Sequence, residues 1–177
     1  MKSPIVSGQQ GKRHGFSLAE VVIALGVITV GVVAVLAIFP TSLQTGHSAQ
    51  DETRAAHIAQ SVLGSLVAQA PSQFSALRLP VSDNATPTPA PIDLTASSSP
   101  TTPTLYGDND GQLVSVQFAT QNPTKAVYAI FIYTNNSVPG FTDPASANVV
   151  TVRVAWPANA PAANQTFRDY VRIVSKY

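Results

Sequence analysis

The distribution of apolar and polar positions changes character three times along the chain. From Val21 to Phe39 no side chain is charged and only Thr29 is polar. A stretch that is apolar on every face suits a helix surrounded by lipid rather than one lying on a soluble core. With Phe16 to Glu20 added it makes about 36 Å of helix, enough to cross a hydrocarbon layer of about 30 Å. From Thr41 to Ala70 the pattern becomes amphipathic. Ala55, Ala59, Val62, Leu66 and Ala70 recur at spacings of three or four, Ile58, Leu63 and Val67 widen the stripe, and Asp51, Glu52, Arg54, Gln60 and Gln69 lie mostly elsewhere. This predicts a second, core-facing helical stretch ended by Pro71, with a kink where Pro40 removes a backbone donor. Ser72 to Leu79 is expected to form a short helical turn. Pro80 to Thr104, rich in Pro, Ser and Thr, is expected to be an irregular surface loop.

Beyond that loop the period falls to two. Gln112 to Thr120, Lys125 to Thr134, Asn148 to Trp156 and Thr166 to Lys176 read as strands. The second is apolar on both faces, which suits a central strand covered by the helix on one side and by loops or neighbouring subunits on the other. The third places Val150, Val152, Val154 and Trp156 on one face. In the fourth, Phe167, Val171 and Ile173 alternate, with Asp169 as an exception. Asn122-Pro123, Asn135-Asn136, Pro139-Gly140, Asp143-Pro144 and Pro157 to Pro161 supply the turns. The expected fold class is α+β, a long N-terminal helix packed on a roughly four-stranded antiparallel sheet.

Charge alters the picture at the N-terminus. Lys2, Lys12, Arg13 and His14 precede the apolar stretch and no cation follows it closely, which predicts a cytoplasmic N-terminus and an exported C-terminal part. An ordinary secretory signal shares the basic leader, but its apolar region is shorter and a small-residue cleavage site follows it. Neither condition holds here, and an acid, Glu20, sits inside the apolar run. An acid at the centre of a membrane helix costs about 2.5 to 3.5 kcal/mol, less near an interface, so Glu20 needs a partner or a function.

Gly15-Phe16-Ser17-Leu18-Ala19-Glu20 behind its basic leader resembles the prepilin processing site of type IV pilins and type II secretion pseudopilins. The resemblance implies a pilin-like fold and cleavage by a prepilin peptidase between Gly15 and Phe16. It further implies N-methylation of Phe16 and an assembly role for Glu20, whose carboxylate would meet the new amino terminus of a neighbouring subunit. A salt bridge available only at the correct stagger would act as a register device, because a mismatch leaves a buried charge unpaired. On this reading residues 1–15 are the leader, 16–39 the transmembrane and assembly helix, and 40–71 the amphipathic helix. Residues 72–104 are then the Pro/Ser/Thr-rich loop and 105–177 the sheet. Val152-x-Val154-x-Trp156-Pro157 and the absence of a proline at the major-pilin position look more like the minor pilin PilV and pseudopilin I group than like major pilins. The implied partners are the peptidase, other pilin or pseudopilin subunits, an inner-membrane assembly platform and membrane lipid. The implied location is the inner membrane and then a pilus or pseudopilus.

Composition narrows the remaining functions. The net charge of +1 becomes slightly acidic once Lys2, Lys12 and Arg13 leave with the leader, so nothing suggests a nucleic-acid surface. There is no cysteine, so the exported part must be held by its core without a disulfide. His47 and His57 lie on the helix without a carboxylate at metal-ligand spacing, and neither a nucleophile elbow nor a phosphate-binding glycine loop is present. Asp108-Asn109-Asp110-Gly111 has the residue types of a calcium loop but not the D-x-[DN]-x-[DN]-G order, and a β-turn explains it more simply. No catalytic residue, metal or cofactor is therefore expected. The expected function is that of a structural subunit, with a membrane-anchored periplasmic adaptor or adhesin-type binding module as the alternative.

Overall fold

A computed structural model describes residues 15–83, 91–140, 143 and 146–177. The basic residues from Lys2 to His14 lie outside the described residues, as do 84–90 of the proline-rich loop and Pro144 of one expected turn. The elements in order are α1 (Leu18–Gln69), β1 (Leu105–Gly107), β2 (Leu113–Val114), α2 (Val116–Gln121), β3 (Tyr128–Asn135), β4 (Ala147–Trp156), a 3-10 turn (Ala162–Asn164) and β5 (Thr166–Ser175). The chain divides into a first unit through Gly46 and a second from His47 onward.

In the first unit α1 runs through Pro40 without interruption. Proline cannot donate to the carbonyl of Leu36. Just beyond it the hydroxyls of Thr41 and Ser42 donate to the carbonyl of Ile38 at 2.7 and 3.3 Å. In the second unit the helix buries the stripe that its periodicity predicts: Ala55, Ile58, Ala59, Val62, Leu63 and Leu66. Its end before Pro71 is tied down by Gln69, whose side chain donates to the Arg78 carbonyl at 2.8 Å and accepts from the Arg78 amide at 3.0 Å.

The sheet is antiparallel and five-stranded, in the order β2-β1-β3-β4-β5, with β3 at its centre as its apolar composition suggests. Tyr128, Ile130 and Ile132 of β3 and Val150, Val152, Val154 and Trp156 of β4 face α1 in one core cluster. Gly107 of β1 lies against Ile58 of α1. A methyl group there would sit 2.8 Å from Cδ1 of Ile58 and 3.2 Å from Cβ of Tyr128. One buried polar side chain ties the sheet to the loop: Asn148 accepts from the Asn135 amide at 2.8 Å and donates to the Leu94 carbonyl at 2.8 Å. With its polar atoms so paired, burial of the amide is tolerated.

The structure corrects four expectations. Gln112 to Thr120 is not one strand: only Leu113–Val114 pairs, and Ser115 then caps α2 by accepting from the Phe118 amide at 3.1 Å. The side chain of Asp83 holds the Ser115 amide and hydroxyl and fixes that switch. A short strand at Leu105–Gly107 supplies the additional strand. Ser72 to Leu79 forms turns rather than helix, and the loop that follows is not merely superficial. Phe74, Leu77, Leu79 and Leu94 are buried in the core, and Leu77 bridges to Ile92. On β5 the even-numbered residues face α1. Val174 is buried, Tyr170 packs against the core and Arg168 meets Glu52 of α1 at 2.7 Å. Phe167, Val171 and Ile173, the alternating apolar set, lie on the opposite face and are about half exposed or more. Strand alternation dictates that one set faces inward but not which one. The pairing of Asp169 with Arg153 at 2.7 Å holds the odd-numbered residues on the outer face.

Candidate functional site: the N-terminal motif and its apolar helix

Gly15, Phe16 and Ser17 precede the helix in non-helical backbone, and all three are exposed. Ser17 acts as the N-cap of α1. Its side-chain oxygen accepts from the Glu20 amide at 3.2 Å, and its carbonyl accepts from the amides of Glu20 and Val21. Ser17-Leu18-Ala19-Glu20 thus has the S-x-x-E spacing of a capping box, a local signal that the charge argument alone passes over. The placement changes the energetics of Glu20. In the first turn of a helix the unpaired amides carry partial positive charge, and a carboxylate there gains about 0.3 to 1 kcal/mol. An ammonium at the same end would be disfavoured by the same field, so a positive charge created at Phe16 increases the demand for an acid nearby.

From Val21 to Phe39 every large apolar side chain of α1 is exposed. This is the part of the helix that is long and apolar enough to cross a membrane. Each such side chain stabilises a burying environment by about 1.5 to 3 kcal/mol, so lipid or neighbouring helices must cover the stretch. Thr29, the lone polar residue, donates its hydroxyl to the Leu25 carbonyl at 2.7 Å and leaves no unsatisfied polar group toward lipid. Gly26 and Gly31 have open space above their Cα atoms, as do Gly15 and Gly46.

Asp108 forms a turn: its carboxylate accepts from the amides of Asp110 and Gln112 at 3.0 and 2.8 Å, and Gly111 takes the positive φ of 79° that the turn requires. Among the described residues no three His, Asp or Glu side chains are grouped to hold a metal ion. Burial raises the Tyr128 hydroxyl above its ordinary range, and the hydrogen bond from that hydroxyl to Asp51 at 3.0 Å adds to the effect. The Tyr170 hydroxyl is also raised, by burial and then by the charge of Glu52. Asp169 is held below the usual carboxylate range by the hydrogen bonds from Arg153. The Tyr128–Asp51 bond braces the helix against the sheet, and the Arg153–Asp169 pair joins β4 to β5.

Residues 10–36 match the prokaryotic N-terminal methylation motif. No match to a curated protein or to a solved structure is found. The matched segment includes Gly15, Phe16, Ser17 and Glu20 and runs through most of the exposed apolar stretch. The chain thus carries a prokaryotic N-terminal methylation motif over residues 10–36, and the exposed apolar stretch of α1 opens within it.

Proposed function

We infer that the chain is a non-enzymatic structural subunit of a type IV pilus or type II secretion pseudopilus. A prepilin peptidase cuts between Gly15 and Phe16, and the new amino group of Phe16 is methylated. The subunit stands in the inner membrane with its second unit on the exported side until α1 is drawn into a filament beside other pilin-like subunits. The observation that carries this reading is the apolar stretch of α1, which no other described residue covers and most of which lies within the methylation motif.

Glu20 is the assembly residue in this scheme. Cleavage places an ammonium just before the cap of α1, where the helix field opposes it, and Glu20 of the same or a neighbouring subunit restores the balance. The decisive experiment is mass spectrometry of the mature protein purified from its membrane. A chain beginning at methylated Phe16 is the expected result. An intact Met1, or a cut after the apolar stretch, overturns the proposal.

A further inference from the structure

The two edges of the sheet are treated differently. At one edge β2 is only two residues long, and Ser82 covers it by donating its amide to the Leu113 carbonyl at 2.8 Å. At the other edge β5 is ten residues of unbroken antiparallel ladder, about 34 Å long, without a proline or a bulge. Among the described residues no segment pairs with its outer side. Long, flat edges of this kind are normally shortened, bent or charged to prevent pairing with other chains.

The phase of the ladder identifies the groups that point outward, of which the Phe167 carbonyl already accepts from the Arg168 guanidinium at 3.3 Å. The Lys176 amide donates to the Ser146 carbonyl at 2.9 Å, one step past the Ala147–Ser175 pair. In an antiparallel ladder, residues that bond to one neighbour alternate with residues whose amides and carbonyls point the other way. The even-numbered residues of β5 therefore bond to β4. Phe167, Asp169, Val171 and Ile173 turn their backbone groups outward. These residues also place their side chains on the uncovered face of the sheet, where Phe167, Val171 and Ile173 are 49, 63 and 55 % exposed. Two of the charges that ordinarily guard an edge are neutralised within the chain. Asp169 is held by Arg153, which also lies over the ring of Phe167 at 4.4 Å, and Arg168 is held by Glu52. Arg172 and Lys176 remain exposed.

We propose that the outer edge of β5 is a strand-addition site for an extended segment of another polypeptide in which apolar side chains alternate with carboxylates. The added strand bonds to the outward amide of Phe167 and to the outward amides and carbonyls of Asp169, Val171 and Ile173. Its apolar residues extend the outer face, and its carboxylates fall on the α1 side next to Arg172. A second copy of β5 fits less well, because each strand end brings Arg168, Arg172 and Lys176 against Asp169 alone. The site lies within the second unit and draws on no residue of the apolar stretch of α1.

The test uses the full chain in detergent micelles and a fluorescent nine-residue peptide of alternating valine and glutamate. The peptide is N-methylated on the side facing away from β5, so that it cannot pair with itself. Binding is read by fluorescence anisotropy, with sedimentation run in parallel. Saturable binding is expected, weakened roughly tenfold when lysine replaces glutamate in the peptide. Val171→Pro removes one outward amide and no ladder bond to β4, so it should weaken binding about tenfold. Arg172→Glu, an exposed substitution that does not depend on the tolerance of the strand for proline, should reverse the preference in favour of the lysine peptide. Equal affinity for both peptides, an unchanged preference in Arg172→Glu, or self-association that Arg172→Glu strengthens would overturn the proposal.

Discussion

The packing of α1 on the sheet is open to a quantitative test at Gly107. An alanine methyl there would lie 2.8 Å from Cδ1 of Ile58, against an ordinary contact of 3.4 to 4 Å, and 3.2 Å from Cβ of Tyr128. Ile58 and Tyr128 are both fully buried, so neither can swing into solvent. Overpacking of this kind costs about 1 to 3 kcal/mol. Alanine also restricts the unfolded chain more than glycine does, and Gly107 does not occupy the left-handed region, so about 0.4 to 1 kcal/mol is returned. The net loss expected for Gly107→Ala is about 0.5 to 2 kcal/mol. Ile58→Val deletes the clashing methyl and by itself costs about 0.5 to 1.5 kcal/mol. In the double variant the new methyl occupies the space left by the old one, so the combined loss should fall short of the sum by about 1 kcal/mol. The protein contains a single tryptophan, Trp156, in the core beside Tyr128 at a ring distance of 6.2 Å. Its fluorescence during urea unfolding of the full chain in micelles reports the four stabilities directly. Strictly additive losses would refute the assigned contact between β1 and α1.

Further predictions address the other supports of the fold and the N-terminal motif. Asn148→Ala leaves the Asn135 amide and the Leu94 carbonyl without their partner and should destabilise by about 1 to 3 kcal/mol in the same assay, whereas a change within error would remove the role given to that side chain. Asp169 titrates below its unfolded value because Arg153 holds its charged form. Its contribution is present above the ordinary carboxylate range and is lost as pH falls through the lowered value. Because the pair is about one-third exposed, that contribution is below about 1 kcal/mol, and Arg153→Ala should flatten the corresponding part of the acid-stability curve. Calcium should leave the thermal midpoint unchanged, because the Asp108 carboxylate is engaged by its own turn; a rise would overturn that assignment. Glu20→Ala should still insert and still be cleaved, as shown by the mass of the mature chain, yet enter filaments poorly. Normal incorporation would remove the register role of Glu20.

Features decided by local chemistry were legible in the sequence. The apolar run of α1 depends only on composition and length, and the helical stripe from Ala55 to Leu66 depends only on the 3.6-residue period. β4 announced its buried face because Val150, Val152, Val154 and Trp156 are all large while Thr151 and Arg153 between them are polar. At β5 both faces carry a mixture, and the more apolar one is the exposed one. Ser115 could have continued a strand or capped a helix, and its contact with Asp83, 32 residues away, decided for the cap. Phe74, Leu77 and Leu94 stood among prolines that signalled a loop, and only their docking against the sheet made them core.

The sequence by itself determined that this chain has an N-terminal methylation motif, a helix that must be covered from outside, and enough alternation to build a sheet. These properties reside in residues that are near one another along the chain, where spacing and charge act directly. Tertiary structure decided which face of β5 turns inward, which edge of the sheet stays open and where α1 meets Gly107. Those choices rest on contacts between distant segments, and alternation alone is indifferent between the two faces of a strand until an ion pair or a packed helix selects one.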